Sequence, residues 1–272
     1  MHRHLKKRLV WAAPLATAMM VSWPAHTQEA APDAADDRPR LIEVPDLAPQ
    51  ERFRQCLQQA ERSPIAALID AERWETDGGA NLARECAATA LANNGEEDEA
   101  ARRFETLARD LAEIDADYAA GLFREAGRLW LRVDVPQRAV FALEAAGEIA
   151  APDPQLLVQR ARARQALDDD EGALADLQQA TDLAPDRPDL LALRASAFQS
   201  LNRPDAAIDD LTQAIELGGD LAELTLERGI IRARQGDSEG ARRDFQVVLD
   251  EAPDSVSAEI ARREISLLEE PG

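Results

Sequence analysis

Arginine and carboxylate side chains carry whatever chemistry this chain can do. Arg124, Arg128 and Arg132 are spaced four apart, which puts them on one face of a helix, and Arg162 stands 34 after Arg128 in the equivalent place. Such a row can hold a partner's acidic side chain or C-terminal carboxylate in bidentate fashion. Like charges at this spacing repel by a few tenths of a kcal/mol, so an anionic counterpart would relieve them. The alternative is a solvated face balanced by neighbours such as Glu125. A second row is periodic: Arg160, Arg194 and Arg228 are 34 apart, and Asp176, Asp210 and Asp244 each follow their arginine by 16. One unit earlier both partners are absent together, replaced by Ala126 and Ala142. That joint presence and absence points to a structural salt bridge between two helices of one unit, because either charge buried alone is costly; the rival reading is a charge row for a ligand.

Two further groups have a chemical reading. Cys56 and Cys86 sit on the first helices of adjacent helix pairs, and in an exported chain they make a natural disulfide, with two free buried thiols as the alternative. There is no CxxC and so no redox motif. The run Asp168-Asp169-Asp170-Glu171 falls where a helix starts and reads as capping; a calcium loop needs a longer pattern of ligands.

The N-terminus determines what else is available. Arg3, Lys6, Lys7 and Arg8, then the apolar run 9–23, then Pro24-Ala25-His26-Thr27 have the layout of a secretory signal peptide over residues 1–27. The apolar run is shorter than the roughly 20 residues of a membrane span. Cutting after Thr27 removes every lysine, histidine and methionine. It turns a net charge of −21 into −25, with 27 arginines against 52 acidic residues. Such a surface repels nucleic acid and anionic lipid. Membrane contact is expected only through an uncleaved signal. The chain is expected to be periplasmic.

Residues 28–46, rich in Ala, Pro and Asp, read as a flexible acidic linker. Residues 47–119 read as two divergent helical repeats. A helix over 51–60 comes first, then one that starts at Ser63-Pro64 with Ser63 as its cap and ends at Gly78-Gly79. Helices over 81–92 and 97–111 make the second repeat, and about five extra residues near 114–118 separate it from the next. Residues 120–255 then hold four repeats. Ala173, Ala207 and Ala241 are 34 apart, as are Leu177, Leu211 and Phe245, and Ala161, Ala195 and Gly229. Pro185, Gly219 and Pro253 keep the same beat, and Phe123, Gly127, Ala139 and Leu143 begin it one unit earlier. Residues 256–272 read as a capping helix and tail, with Val256, Ile260, Leu267 and Leu268 on one face and Glu259, Arg262, Ser266 and Glu269 on the other. Self-similarity at one period means stacked supersecondary units. The fold class is all-α: an α-solenoid of about six antiparallel helix pairs with a C-terminal cap.

These residues resemble the tetratricopeptide repeat. Small residues recur where its two helices touch, and proline or glycine recurs where its second helix ends. The resemblance implies an interaction scaffold whose first helices line a concave groove for a protein or peptide, so Arg124, Arg128, Arg132 and Arg162 would face that groove. Members that clamp a partner's carboxylate rely on Lys and Asn there, and this groove offers no Lys, so a chaperone-tail clamp is not expected. The leading reading is an exported non-enzymatic scaffold without cofactor or metal. The alternatives are an architectural subunit of an envelope complex with no groove ligand, or a carboxylate-based hydrolase. Loss of His and Lys removes most general bases and Schiff-base chemistry from the last.

Overall fold

The computed structural model describes residues 48–269; the signal and linker readings lie outside them. Among the described residues there are thirteen α-helices and no strand. They pair as α1 (Pro49–Arg62) with α2 (Pro64–Trp74), α3 (Ala80–Asn93) with α4 (Glu97–Leu111), and α5 (Ala116–Arg132) with α6 (Pro136–Ile149). Then come α7 (Pro154–Gln165) with α8 (Asp170–Leu183), α9 (Pro188–Ser200) with α10 (Pro204–Glu216), and α11 (Leu221–Arg234) with α12 (Ser238–Glu251). Helix α13 (Val256–Glu269) closes the series. Each second helix packs on the first helix that follows it. First helices of neighbouring units also meet, α1 with α3, α5 with α7 and α11 with α13; no comparable contact joins neighbouring second helices. The stack therefore curves toward its first helices, which line the concave side.

Local chemistry explains why helices start and stop where they do. Proline opens α1, α2, α6, α7, α9 and α10, where its missing N–H costs nothing. Asp115, Asp153, Asp169, Asp220 and Asp237 cap α5, α7, α8, α11 and α12 by accepting a backbone N–H three residues on. The acidic run thus divides its labour: Asp169 caps α8 at 3.0 Å from the Gly172 N–H, while Asp168 takes φ 59° in the turn before it. Asp134, Asn202 and Gly236 hold the same left-handed turn in their own units, with φ of 57°, 54° and 85°. Asp, Asn and Gly are the residues that tolerate it.

The core is built of alanine and leucine. Ala173, Ala207 and Ala241 are all fully buried, as are their partners Leu211 and Phe245. Gly229 sits against the largest partner: a Cβ there would lie 2.7 Å from the Phe245 ring. Gly127 faces Leu143 in the same way, at 2.6 Å.

The structure differs from the sequence reading in four places. Ser63 stands at the N-cap of α2 but its hydroxyl makes no capping bond; in a one-residue connection its N–H is used to close α1 on Gln59 O at 2.7 Å. Helix α2 ends at Trp74, and a π-helical turn (Glu75–Gly79) carries the chain to Gly79, whose backbone lies on the Trp74 indole. The extra residues near 114–118 are not a spacer: Asp115 caps and Ala116 begins α5, so they lengthen that helix, and the boundary at 119/120 falls inside it. Finally, α13 buries Ala258 and Ala261, with Ile265 and Leu268 packed beside them, and leaves Val256, Ile260 and Leu267 exposed. Alanine faces inward because small side chains let the terminal helix approach α11 and α12 closely.

Candidate functional site: the groove of first helices

The concave side carries the arginine row, and the structure pairs most of it internally. Arg124 on α5 reaches Asp153, the cap of α7. Arg128 lies on Glu125, with one bond at 2.9 Å from Nε, and this carboxylate holds the guanidinium above its ordinary value. Arg132 pairs with Glu97 at the start of α4. The like-charge row on α5 is thus compensated by three carboxylates from three elements, two of them remote in sequence.

Arg162 differs. It is exposed on α7, and its side chain makes no ion pair or hydrogen bond among the described residues. It lines a hollow of about 430 Å³ between α7 and α9, with Gln155, Val158, Gln159, Leu193 and the Arg187–Asp189 pair around it. In that wall the Oε1 of Gln159 is buried and has no partner. A free guanidinium, an orphan acceptor and an apolar floor of Val158 and Leu193 therefore share one hollow. A carboxylate would satisfy the first, a backbone N–H the second. Smaller hollows repeat along the row. One of about 260 Å³ between α5 and α7 includes Gly121, Arg124 and Asp153. Another of about 160 Å³, between α9 and α11, includes Gln199, Ile231 and Arg234.

The periodic Arg–Asp residues meet between the two helices of each unit. Arg160 reaches Asp176 at 2.5 Å, Arg194 reaches Asp210 at 2.6 Å, and Arg228 reaches Asp244 at 2.8 Å. The three aspartates are buried. Arg164 and Arg232 add a second cation to Asp176 and Asp244, whereas unit five has Phe198 in that place. Two of these arginines also reach backward: Arg194 donates to Thr181 at 2.8 Å and Arg228 to Thr212 at 3.0 Å, each in the preceding unit. The row is a staple within and between repeats.

Cys56 on α1 and Cys86 on α3 are bonded, with Cα atoms 6.1 Å apart. Two polar contacts were not read from sequence. Glu105 is buried on α4 and accepts from Trp130 at 2.5 Å, Arg109 at 2.6 Å and Arg138 at 2.9 Å, while Arg138 also covers the Trp130 ring. Ala101 and Ala108, four before and three after it, share its face of α4 and are fully buried, so a glutamate there signalled a buried charge needing partners. Tyr118 on α5 donates to Glu85 on α3; burial raises the pKa of Glu85, partly offset by that bond. A hollow of about 560 Å³ among α2, α3 and α4 is lined by Arg84, Arg102 and Arg103, each already held by a carboxylate.

Family models of the tetratricopeptide repeat match residues 188–217 and 226–255, the fifth and sixth units. These two units are thus similar to tetratricopeptide repeats, a fold suited to protein–protein interaction. Among solved structures it is similar to YrrB, described as a TPR protein with an unusual peptide-binding site, at 19% identity and TM-score 0.57, over 71% of this chain and 96% of that one. It is similar to the MamA protein at 15% identity and TM-score 0.57, over 72% and 98%. It is also similar to pilF of Pseudomonas aeruginosa at 14% identity and TM-score 0.56, over 79% and 97%. At these identities the likeness is one of fold. No curated protein matches the chain.

Proposed function

We propose that the chain is an exported, non-enzymatic scaffold that holds a protein or peptide segment in its concave groove, in the periplasm or cell envelope. The observation that carries the reading is the hollow between α7 and α9, where Arg162 is unpaired and Gln159 Oε1 is unsatisfied. A chain segment presenting a carboxylate beside a backbone N–H answers both groups, and Val158 and Leu193 accept its apolar side chain. Selection by sign matters in a protein of net charge −21, because one exposed cation in an acidic surround discriminates between partners. Arg124 lines the neighbouring hollow, and Arg124, Arg128 and Arg132 spend their charge on Asp153, Glu125 and Glu97. The basic-apolar-polar N-terminus supports export.

The test is capture from an envelope extract with the chain from Gln28 onward, followed by affinity measurement on the captured partner. Arg162→Glu should weaken binding at least about tenfold, the loss of a charged hydrogen bond plus a new repulsion, while Arg128→Glu should change it much less. Equal effects of the two, or none, would refute the site. Fractionation and N-terminal sequencing test export: a mature chain beginning near Gln28 in the periplasm is expected.

A further inference from the structure

We infer, resting on the groove reading above, that this groove selects a bipartite acidic segment: an extended stretch of a partner protein with two carboxylate side chains about six residues apart, one for Arg162 and one for Arg234. Every arginine on α5, α7, α9 and α11 meets a carboxylate except these two. Arg234, in the last turn of α11, is exposed, and its side chain makes no ion pair or hydrogen bond among the described residues. Scarcity of partners does not explain this, because acidic residues outnumber basic ones by 52 to 31. Each of the two also opens on a hollow between first helices. Arg162 lines the one of about 430 Å³ between α7 and α9, and Arg234 the one of about 160 Å³ between α9 and α11. Carboxylates beside these hollows are engaged elsewhere: Asp189 with Arg187 at 2.9 Å, Asp205 with Gln235 at 2.7 Å, and Glu227 with Gln199 at 2.7 Å. Each hollow therefore offers a guanidinium with no carboxylate of its own.

The ground between the two hollows is low. On α9, Ala192 and Ser196 stand where α7 has Val158 and Arg162 and where α11 has Leu226 and Ile230, 34 residues away on either side. Small side chains there let a main chain run close over α9 from one hollow to the other. The span sets the spacing of the two acids. First helices of successive units lie about one helix diameter apart, roughly 10 Å, so α7 to α11 is about 20 Å. Arg234 stands two repeats and four residues after Arg162, which adds about 6 Å along the helix axis. Together these make about 21 Å, and an extended chain at roughly 3.5 Å per residue covers it in about six residues. That is an even step in a strand, so both carboxylates point to one side, toward the groove.

Titration of the full chain with labelled synthetic peptides, read by fluorescence anisotropy, tests this. The probes are acetylated and amidated peptides of Gly, Val and Asp, so that side chains hold the only carboxylates. One carries its two Asp about six residues apart, and the other has the same composition with the two Asp adjacent. The spaced peptide should bind at least about tenfold more tightly than the adjacent one, the lower end for one more hydrogen bond to a charged group. Arg162→Gln and Arg234→Gln should each bring the spaced peptide down to the affinity of the adjacent one, with unchanged helicity because both side chains are exposed. Arg243→Gln, an exposed arginine on α12, should leave it intact. Equal binding of the two peptides, or a loss on Arg243→Gln as large as the other two, shows that no two sites act together and overturns the proposal. Weakening on Arg162→Gln with none on Arg234→Gln also overturns it, while the groove reading stands. Binding that ignores Arg162→Gln takes down both. No binding of either peptide overturns the proposal alone, and the captured partner's response to Arg162→Glu then decides the groove reading.

Discussion

The Arg194–Asp210 staple should behave as a single unit under mutation. Asp210 is the cleanest of the three aspartates, because Phe198 stands where Arg164 and Arg232 supply a second cation. It accepts from Arg194 Nε at 2.7 Å and Nη2 at 2.6 Å, with side-chain exposures of 14% for the arginine and 7% for the aspartate. Breaking a buried pair from one side costs about 3–5 kcal/mol. Asp210→Ala should fall at the low end, near 3 kcal/mol, because Arg194 keeps bonds to Thr181 and Gln178. Arg194→Ala should fall at the high end, since Asp210 has no other partner and its carboxylate is left buried. Thr181 is not orphaned by that change, because its hydroxyl also donates to Gln178 O at 2.8 Å. The double replacement reproduces what unit three already has at Ala126 and Ala142, both fully buried. It should therefore be no less stable than either single variant, with a coupling of up to about 3 kcal/mol. Urea unfolding of the four proteins measures the cycle. Hydrogen exchange locates the loss, which in a solenoid should concentrate in α8 to α10. Additive effects, or single-variant losses under about 1 kcal/mol, would show that the staple is only a surface pair.

Other outcomes follow from the same packing. Replacing Cys56 and Cys86 by serine should destabilise the first two helix pairs by about 3–4 kcal/mol, from a closed loop of about 30 residues; peptide mapping without reduction should find the two cysteines joined. Gly229→Ala should lose stability despite a helix-propensity gain of about 1 kcal/mol, because the new methyl meets the rigid Phe245 ring at 2.7 Å; a melting temperature above the parent's would contradict the close approach. Burial, joined by the charge of Glu223 and opposed by a bond from Gln199, raises the pKa of Glu227. The folded chain therefore binds that proton more tightly than the unfolded chain, and the ionised form is a penalty present above the raised value and relieved as pH falls through it. Glu227→Gln should be more stable than the parent at neutral pH, with the gap closing on acidification, as read by denaturant titration at several pH values. A gap that widens toward acid would reverse the assignment.

The repeat was legible in the spacing of residue types alone. One beat shared by Ala161, Ala173 and Leu177 leaves few ways to bury a helix pair, so the all-α solenoid and its six pairs could be read at that level. The pairing of Arg160, Arg194 and Arg228 with Asp176, Asp210 and Asp244 was legible too, because two positions that appear and vanish together are reporting a contact. Turn chemistry was present but unread: Asp134, Asp168, Asn202 and Gly236 share a period, yet only the backbone angle shows they share a conformation. Which arginines are free was settled by helix docking. Arg128 takes its partner within its own turn, but Arg124 and Arg132 find Asp153 and Glu97 on other helices, and no periodicity encodes the distance between side chains remote in sequence. The same holds for α13. Two apolar stripes are available on that helix, one of alanine with Ile265 and Leu268, the other Val256, Ile260 and Leu267. Hydrophobicity favours the second, but the closeness of α11 and α12 admits only the first, and so leaves the larger side chains facing water.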